Sequence, residues 1–106
     1  MANKYWFANH PSGRVLAGSA TVDFAEITDG NEAASDITVT GAALGDIVMV
    51  SHSLDVEDLQ LTADVTAANT VSVVASSSGD TVDLGSGTVR VLVIPSAAVD
   101  SIIAGM

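Results

Sequence analysis

LQLTADVTAANTVSVVASSSGDTVDLGSGTVRVLVI, residues Leu59 to Ile94, holds three strand-like runs separated by small-residue turns. At its start Leu59, Leu61, Ala63 and Val65 are separated by Gln60, Thr62, Asp64 and Thr66. Successive side chains of a strand point to opposite faces, so this alternation marks a strand with one face buried. Thr70 to Ala75 and Thr88 to Ile94 are rich in β-branched residues, which suit a pleated, packed surface. Ala67-Ala68-Asn69 fits a hairpin between the first two runs, because Asn tolerates a left-handed backbone. Ser76 to Asp80 reads as a loop, Val82 and Leu84 share parity and can plug the core, and Gly85-Ser86-Gly87 turns the chain into the last run.

Working outward toward the N-terminus, Ser53 to Asp58 is polar and reads as a loop, while Ile47-Val48-Met49-Val50 is apolar at every position. Gly41 to Gly45 is a compact connector, and Ile37 to Thr40 a short strand with Ile37 and Val39 inward. Thr28 to Asp36 is expected to be an exposed acidic loop, with Asp29-Gly30 as its turn. Ala20 to Thr28 alternates well enough for a strand with Val22 and Phe24 inward. Arg14 to Ala17 is expected to be a separate short strand that ends at Gly18. Lys4 to Ala8 reads as extended, closed by the turn-prone run from Asn9 to Gly13. Beyond Pro95, Val99, Ile102, Ile103 and Met106 recur at helical spacing, with Ser96 as N-cap and Gly105 as stop. A final strand is the competing reading of that tail.

Composition narrows the classes. The 106 residues suit one domain with a modest core. Hydrophobic residues make up 48% of the chain but aromatics only 4%, so much of the apolar content is small side chains that each bury little area. Such a core leaves little margin for a monomer and favours association. With no cysteine, disulfides and thiolate chemistry are excluded. The net charge of −10 opposes nucleic-acid binding, which needs a basic footprint. No stretch resembles a signal peptide or a membrane span, so synthesis in a cytoplasm, with no membrane partner, is expected.

The charge is unevenly spread. Residues 1–18 contain Lys4 and Arg14 and no acid, together with Tyr5, Trp6 and Phe7, whereas every Asp and Glu lies in 19–106. Residues 1–18 are therefore read as a docking arm and 19–106 as a single β domain. Lys4, Tyr5, Trp6, Phe7 and Arg14 are the recognition candidates, since aromatic rings with flanking cations anchor protein contacts. Packing of those rings under the protein's own sheet is the competing reading.

Two strands are apolar on both sides. In a two-layer sandwich each sheet meets the core once and its outer face should be polar. Leu59 to Thr66 obeys this. In Thr88 to Ile94, however, Val89, Val91 and Val93 fill one face, while Leu92 and Ile94 flank Arg90 on the other. Contiguous exposed apolar groups usually mark contacts. Arg90, Leu92 and Ile94, with Val48 and Val50 from the other two-sided strand, are therefore expected at a subunit interface. Cover by the N-terminal arm or the C-terminal tail is the alternative.

Catalytic chemistry finds little support. His10 and His52 are the only histidines, and in Ser51-His52-Ser53 adjacent strand residues would point to opposite faces. No nucleophile elbow or phosphate-binding loop is present, and Glu57-Asp58 are loop neighbours best read as solvated charges. Asp29, Asn31, Glu32 and Asp36 offer oxygen ligands but match no calcium-loop spacing, so a plain acidic turn is the better reading. The expectation is a non-enzyme without cofactor or metal.

Three pieces carry a resemblance: TGAALGD at residues 40–46, VTAANTVSV at 65–73 and VDLGSGTVRV at 82–91. Together they resemble a β-rich module of virion structural proteins of tailed bacteriophages, matched over 37–94. That resemblance implies a virion-surface role, often as a homotrimer, and no catalytic residues. The resulting expectation is an all-β protein, a small antiparallel β-sandwich or barrel with an extended N-terminal arm and a short C-terminal helix. It would be a capsid decoration (cement) protein, binding the major capsid protein and its own copies on the outer head surface. A receptor- or glycan-binding module of a tail appendage is the alternative.

Overall fold

A computed structural model describes residues 14–106. Six strands and one helix follow in the order β1 (Leu16–Phe24), β2 (Glu32–Thr38), β3 (Ile47–His52), β4 (Leu59–Ala67), β5 (Thr70–Ser77), β6 (Gly85–Ile94) and α1 (Ser96–Ala104). They form two three-stranded antiparallel sheets, ordered β1-β6-β3 and β2-β5-β4. Among the described strands only β4 and β5 make a hairpin; every other strand-to-strand connection crosses to the opposite sheet. The quoted stretch therefore supplies the middle strand of both layers. A middle strand is paired along both edges and is the best protected part of a sheet, which matches the β-branched content of β5 and β6.

The two inner faces meet through small side chains. Val71, Val73 and Ala75 of β5 and Val89, Val91 and Val93 of β6 are all at most 3% exposed. Val22, Phe24, Ile27, Ile37, Val39, Ala42, Leu59, Val65 and Val82 complete the same cluster. Each fully buried Val contributes about 1.5 kcal/mol or more, so the core depends on many small terms. Val82 is buried and Leu84 packs against the cluster, as their parity predicts.

The hairpin tip fastens the β2–β3 connector. Asn69 is left-handed, with φ of 64°, and a register shift between Val65 and Ala67 accompanies the turn. Its carbonyl accepts the Val39 N–H at 2.9 Å, its N–H donates to the Ala42 carbonyl at 2.9 Å, and its Oδ1 accepts the Gly41 N–H at 2.8 Å. One residue thus satisfies three backbone groups of another loop, a constraint invisible in local sequence.

Three expectations are corrected. β1 runs unbroken through Gly18, where a separate strand was expected to end. A Cβ there would lie 2.8 Å from Val39 Cγ2 and 3.3 Å from the Thr38 carbonyl oxygen; the glycine permits close approach to the β2 end, and the expected boundary at 18/19 falls inside the strand. The expected acidic loop is a strand from Glu32 onward. Glu32, Ala34 and Asp36 face solvent while Ala33 packs on the core and Ile37 is buried; pairing with β5 overrides poor local propensity. At the helix start Pro95 occupies the N-cap position, not Ser96, with φ −58° and ψ 141°.

Candidate association surface

The outer face of the β2-β5-β4 sheet is the ordinary kind. Register places Asp36, Ser72 and Asp64 in one row across it, and Gln60, Thr62 and Thr66 are also exposed. The opposite sheet differs. In an antiparallel pair, residues in register share a face. Ile47 is level with Ile94, Met49 with Leu92 and Ala17, and Ser51 with Arg90 and Ser19. Three adjoining rows therefore place isoleucines, then Ala-Leu-Met, then Ser-Arg-Ser on one outer face.

This face is open to solvent. Ile47 is 46%, Met49 58% and Leu92 39% exposed. A shallow, open depression of about 620 Å³ lies over it, lined by Ala17, Ser19, Met49, Ser51, Arg90 and Leu92 among others. Arg14 and Arg90 are the two arginine or lysine residues in the described part of the chain, against thirteen carboxylates. Among the described residues, the outer sheet face with this apolar stripe thus also carries a cation at the edge of the stripe.

Of the five residues expected at an interface, Arg90, Leu92 and Ile94 share this outer face. Val48 and Val50 do not. Both turn inward and pack on the core, level with Val93 and Val91 respectively. Their neighbours Ile47 and Met49 are the outward pair. A strand that is apolar at every position gives no parity signal, and only pairing with β6 sets which residues face out. Of the docking candidates, Lys4, Tyr5, Trp6 and Phe7 lie outside the described residues, and Arg14 is exposed just ahead of β1.

The C-terminal helix leaves at the end of this sheet where Ile94 pairs with Ile47. Its start is held by Asp46, a buried carboxylate whose Oδ1 accepts the Ser96 N–H at 2.9 Å and Oδ2 the Ala43 N–H at 3.0 Å. The helix has no acidic residue in its first turn; Asp46, fifty residues earlier, satisfies an orphan N–H and places a negative charge at the positive end. Replacing Asp46 by Ala is expected to fray α1 and cost about 0.5–2 kcal/mol through loss of the helix cap and of the bond to Ala43. Thermal melts and backbone amide exchange at Ser96 check this. Ala98 is buried, but Ile102, Ile103 and Met106 are 50%, 60% and 96% exposed. The helix therefore presents an apolar surface of its own and leaves the adjoining sheet face uncovered.

Ser51 and His52 face opposite ways, as adjacent strand residues do. Ser51 is exposed beside Arg90. His52 turns in beside Phe24, with ring centroids 6.4 Å apart, and its Nδ1 accepts the Leu54 N–H at 3.0 Å. Its Nε2 is buried without a hydrogen-bond partner among the described residues. Asp29 lies in the turn before β2, and Glu32 and Asp36 on its solvent side; no cluster of three His, Asp or Glu side chains suited to a metal occurs among the described residues. No helix among the described residues is long and apolar enough to cross a membrane.

The chain is a small all-β protein with one short helix and one unusually apolar sheet face. Compared with protein-family models, curated proteins and solved structures, it matches none.

Proposed function

We propose that this is a structural protein of a tailed-bacteriophage virion, a capsid decoration protein that associates with its own copies and docks on the major capsid protein. The observation that carries the reading is the exposed apolar face of the β1-β6-β3 sheet, which suits a protein that works by being covered. The module resemblance over residues 37–94 supports the virion context. The acidic body supports an outer position, since packaged DNA inside a head would repel it. Lys4, Tyr5, Trp6, Phe7 and Arg14 are the docking residues in this reading, adding aromatic area and complementary charge against the shell.

The test is removal of residues 2–14. The shortened protein is expected to keep its thermal transition and to lose occupancy on capsids at least tenfold, measured by cosedimentation and by imaging of the decorated shell. Undiminished occupancy would refute the docking role. Binding to a glycan array without any capsid would instead favour a tail-appendage module.

A further inference from the structure

We infer that the apolar face of the β1-β6-β3 sheet is the seat for helix α1 of a second copy, a head-to-tail contact with Arg90 facing Asp100. This rests on the self-association in the reading above, though not on the capsid.

Two apolar surfaces stand exposed on the same molecule, and they differ in shape and charge. One is the slightly hollow sheet face with Ile47, Met49 and Leu92, bordered by Arg90. The other is the convex helix with Ile102 and Ile103, followed by Met106 and bordered by exposed Asp100. The charges are complementary. Arg90 and Leu92 are two residues apart on a strand, roughly 7 Å; Asp100 and Ile103 are one helical turn apart, roughly 5 Å. An arginine meeting Asp100 therefore leaves Ile103 within reach of Leu92 and Met49.

Other arrangements leave more undone. The molecule's own helix is tethered at Ser96 by Asp46 at the strand end and leaves the sheet face open. A symmetric face-to-face pair would bring two copies of Arg90 into one contact and leave both helices bare. Head-to-tail pairing covers both surfaces of every copy. Such heterologous contacts propagate into a ring if the rotation closes and a filament if it does not.

Charge reversal in the full-length chain tests the pairing, with mass measured by light scattering after size exclusion. The wild type is expected to self-associate, and Arg90→Glu or Asp100→Arg alone to weaken that at least tenfold with unchanged circular dichroism. The double variant Arg90→Glu/Asp100→Arg is expected to recover it, because the opposed charges are exchanged. A second measurement uses the absence of cysteine. Equimolar Met49→Cys and Ile103→Cys variants are expected to form a mixed disulfide dimer in excess over either self-dimer.

A wild type that remains monomeric at all concentrations overturns the proposal. So does failure of the double variant to recover, or recovery of Arg90→Glu by Asp64→Arg instead, which would seat the polar sheet of the second copy there. Monomers in which Met49→Cys reacts with a thiol reagent only once residues 2–13 are removed would put this chain's own N-terminal residues on the face, and also overturn it. Capsid occupancy is scored separately, so loss of this contact and loss of the decoration role are distinguishable.

Discussion

Val91→Asp is expected to abolish folding, whereas Leu92→Asp, one residue along the same strand, leaves the fold intact and removes self-association. Val91 is 3% exposed, between the two layers, and Leu92 is 39% exposed on the outer face. A carboxylate at Val91 would lie among valines with no partner, costing several kcal/mol. Since a small domain is stable by only about 5–15 kcal/mol in total, and this core is built mostly from Val and Ala, most of the population should unfold. At Leu92 the same change meets water and stays within about 0.5 kcal/mol. Circular dichroism and thermal melts read the first effect, and light scattering the second. Equal damage at both sites would mean that the outer face is already packed within the monomer.

The second large effect is expected at Gly87. Its position in β6 lies under His52, and a Cβ there would fall 2.5 Å from His52 Cε1, 3.1 Å from Ser53 Oγ and 3.2 Å from His52 Nδ1. The ring cannot simply swing away. Nδ1 holds the Leu54 N–H, and the next residue, Ser53, is tied to Thr88 by two bonds, its Oγ accepting at 2.8 Å and its N–H donating at 2.9 Å. Gly87→Ala should therefore cost about 3 kcal/mol, the upper end for overpacking. In a domain of this size that lowers the melting temperature by roughly 12–24 °C. In a double-mutant cycle His52→Ala should recover much of the loss, because it removes the atoms in the way. Additive losses would show that the strain arises from the backbone and not from the ring.

Much of the fold was legible because it is local. Alternation in Leu59 to Thr66, the left-handed tolerance of Asn69, and the apolar runs of β5 and β6 each express a choice that a few neighbouring residues make. The same holds for the helical spacing after Pro95. The misread elements are those settled by a distant partner. Gly18 looked like an end because glycine weakens strands in general, yet it is needed where β1 passes Val39. Glu32 to Asp36 looked like a loop because its residues are poor strand formers, yet β5 supplies the pairing. Ser96 looked like a cap, while the capping oxygen comes from Asp46 across the fold.

By itself the sequence determined that this is a small, acidic, all-β protein with a last strand that is apolar on both faces. Side-chain periodicity and composition are properties of the chain, and no partner is needed to read them. Only the tertiary structure decided which residues make the outer face. Ile47 to Val50 carries no alternation, so its parity was undefined until pairing with β6 turned Val48 and Val50 inward and Ile47 and Met49 out. The structure alone also gathered Ala17, Arg90 and Met49 into adjoining rows of one surface, since register across antiparallel strands joins positions more than forty residues apart. That juxtaposition, and not any single motif, is where the proposed association begins.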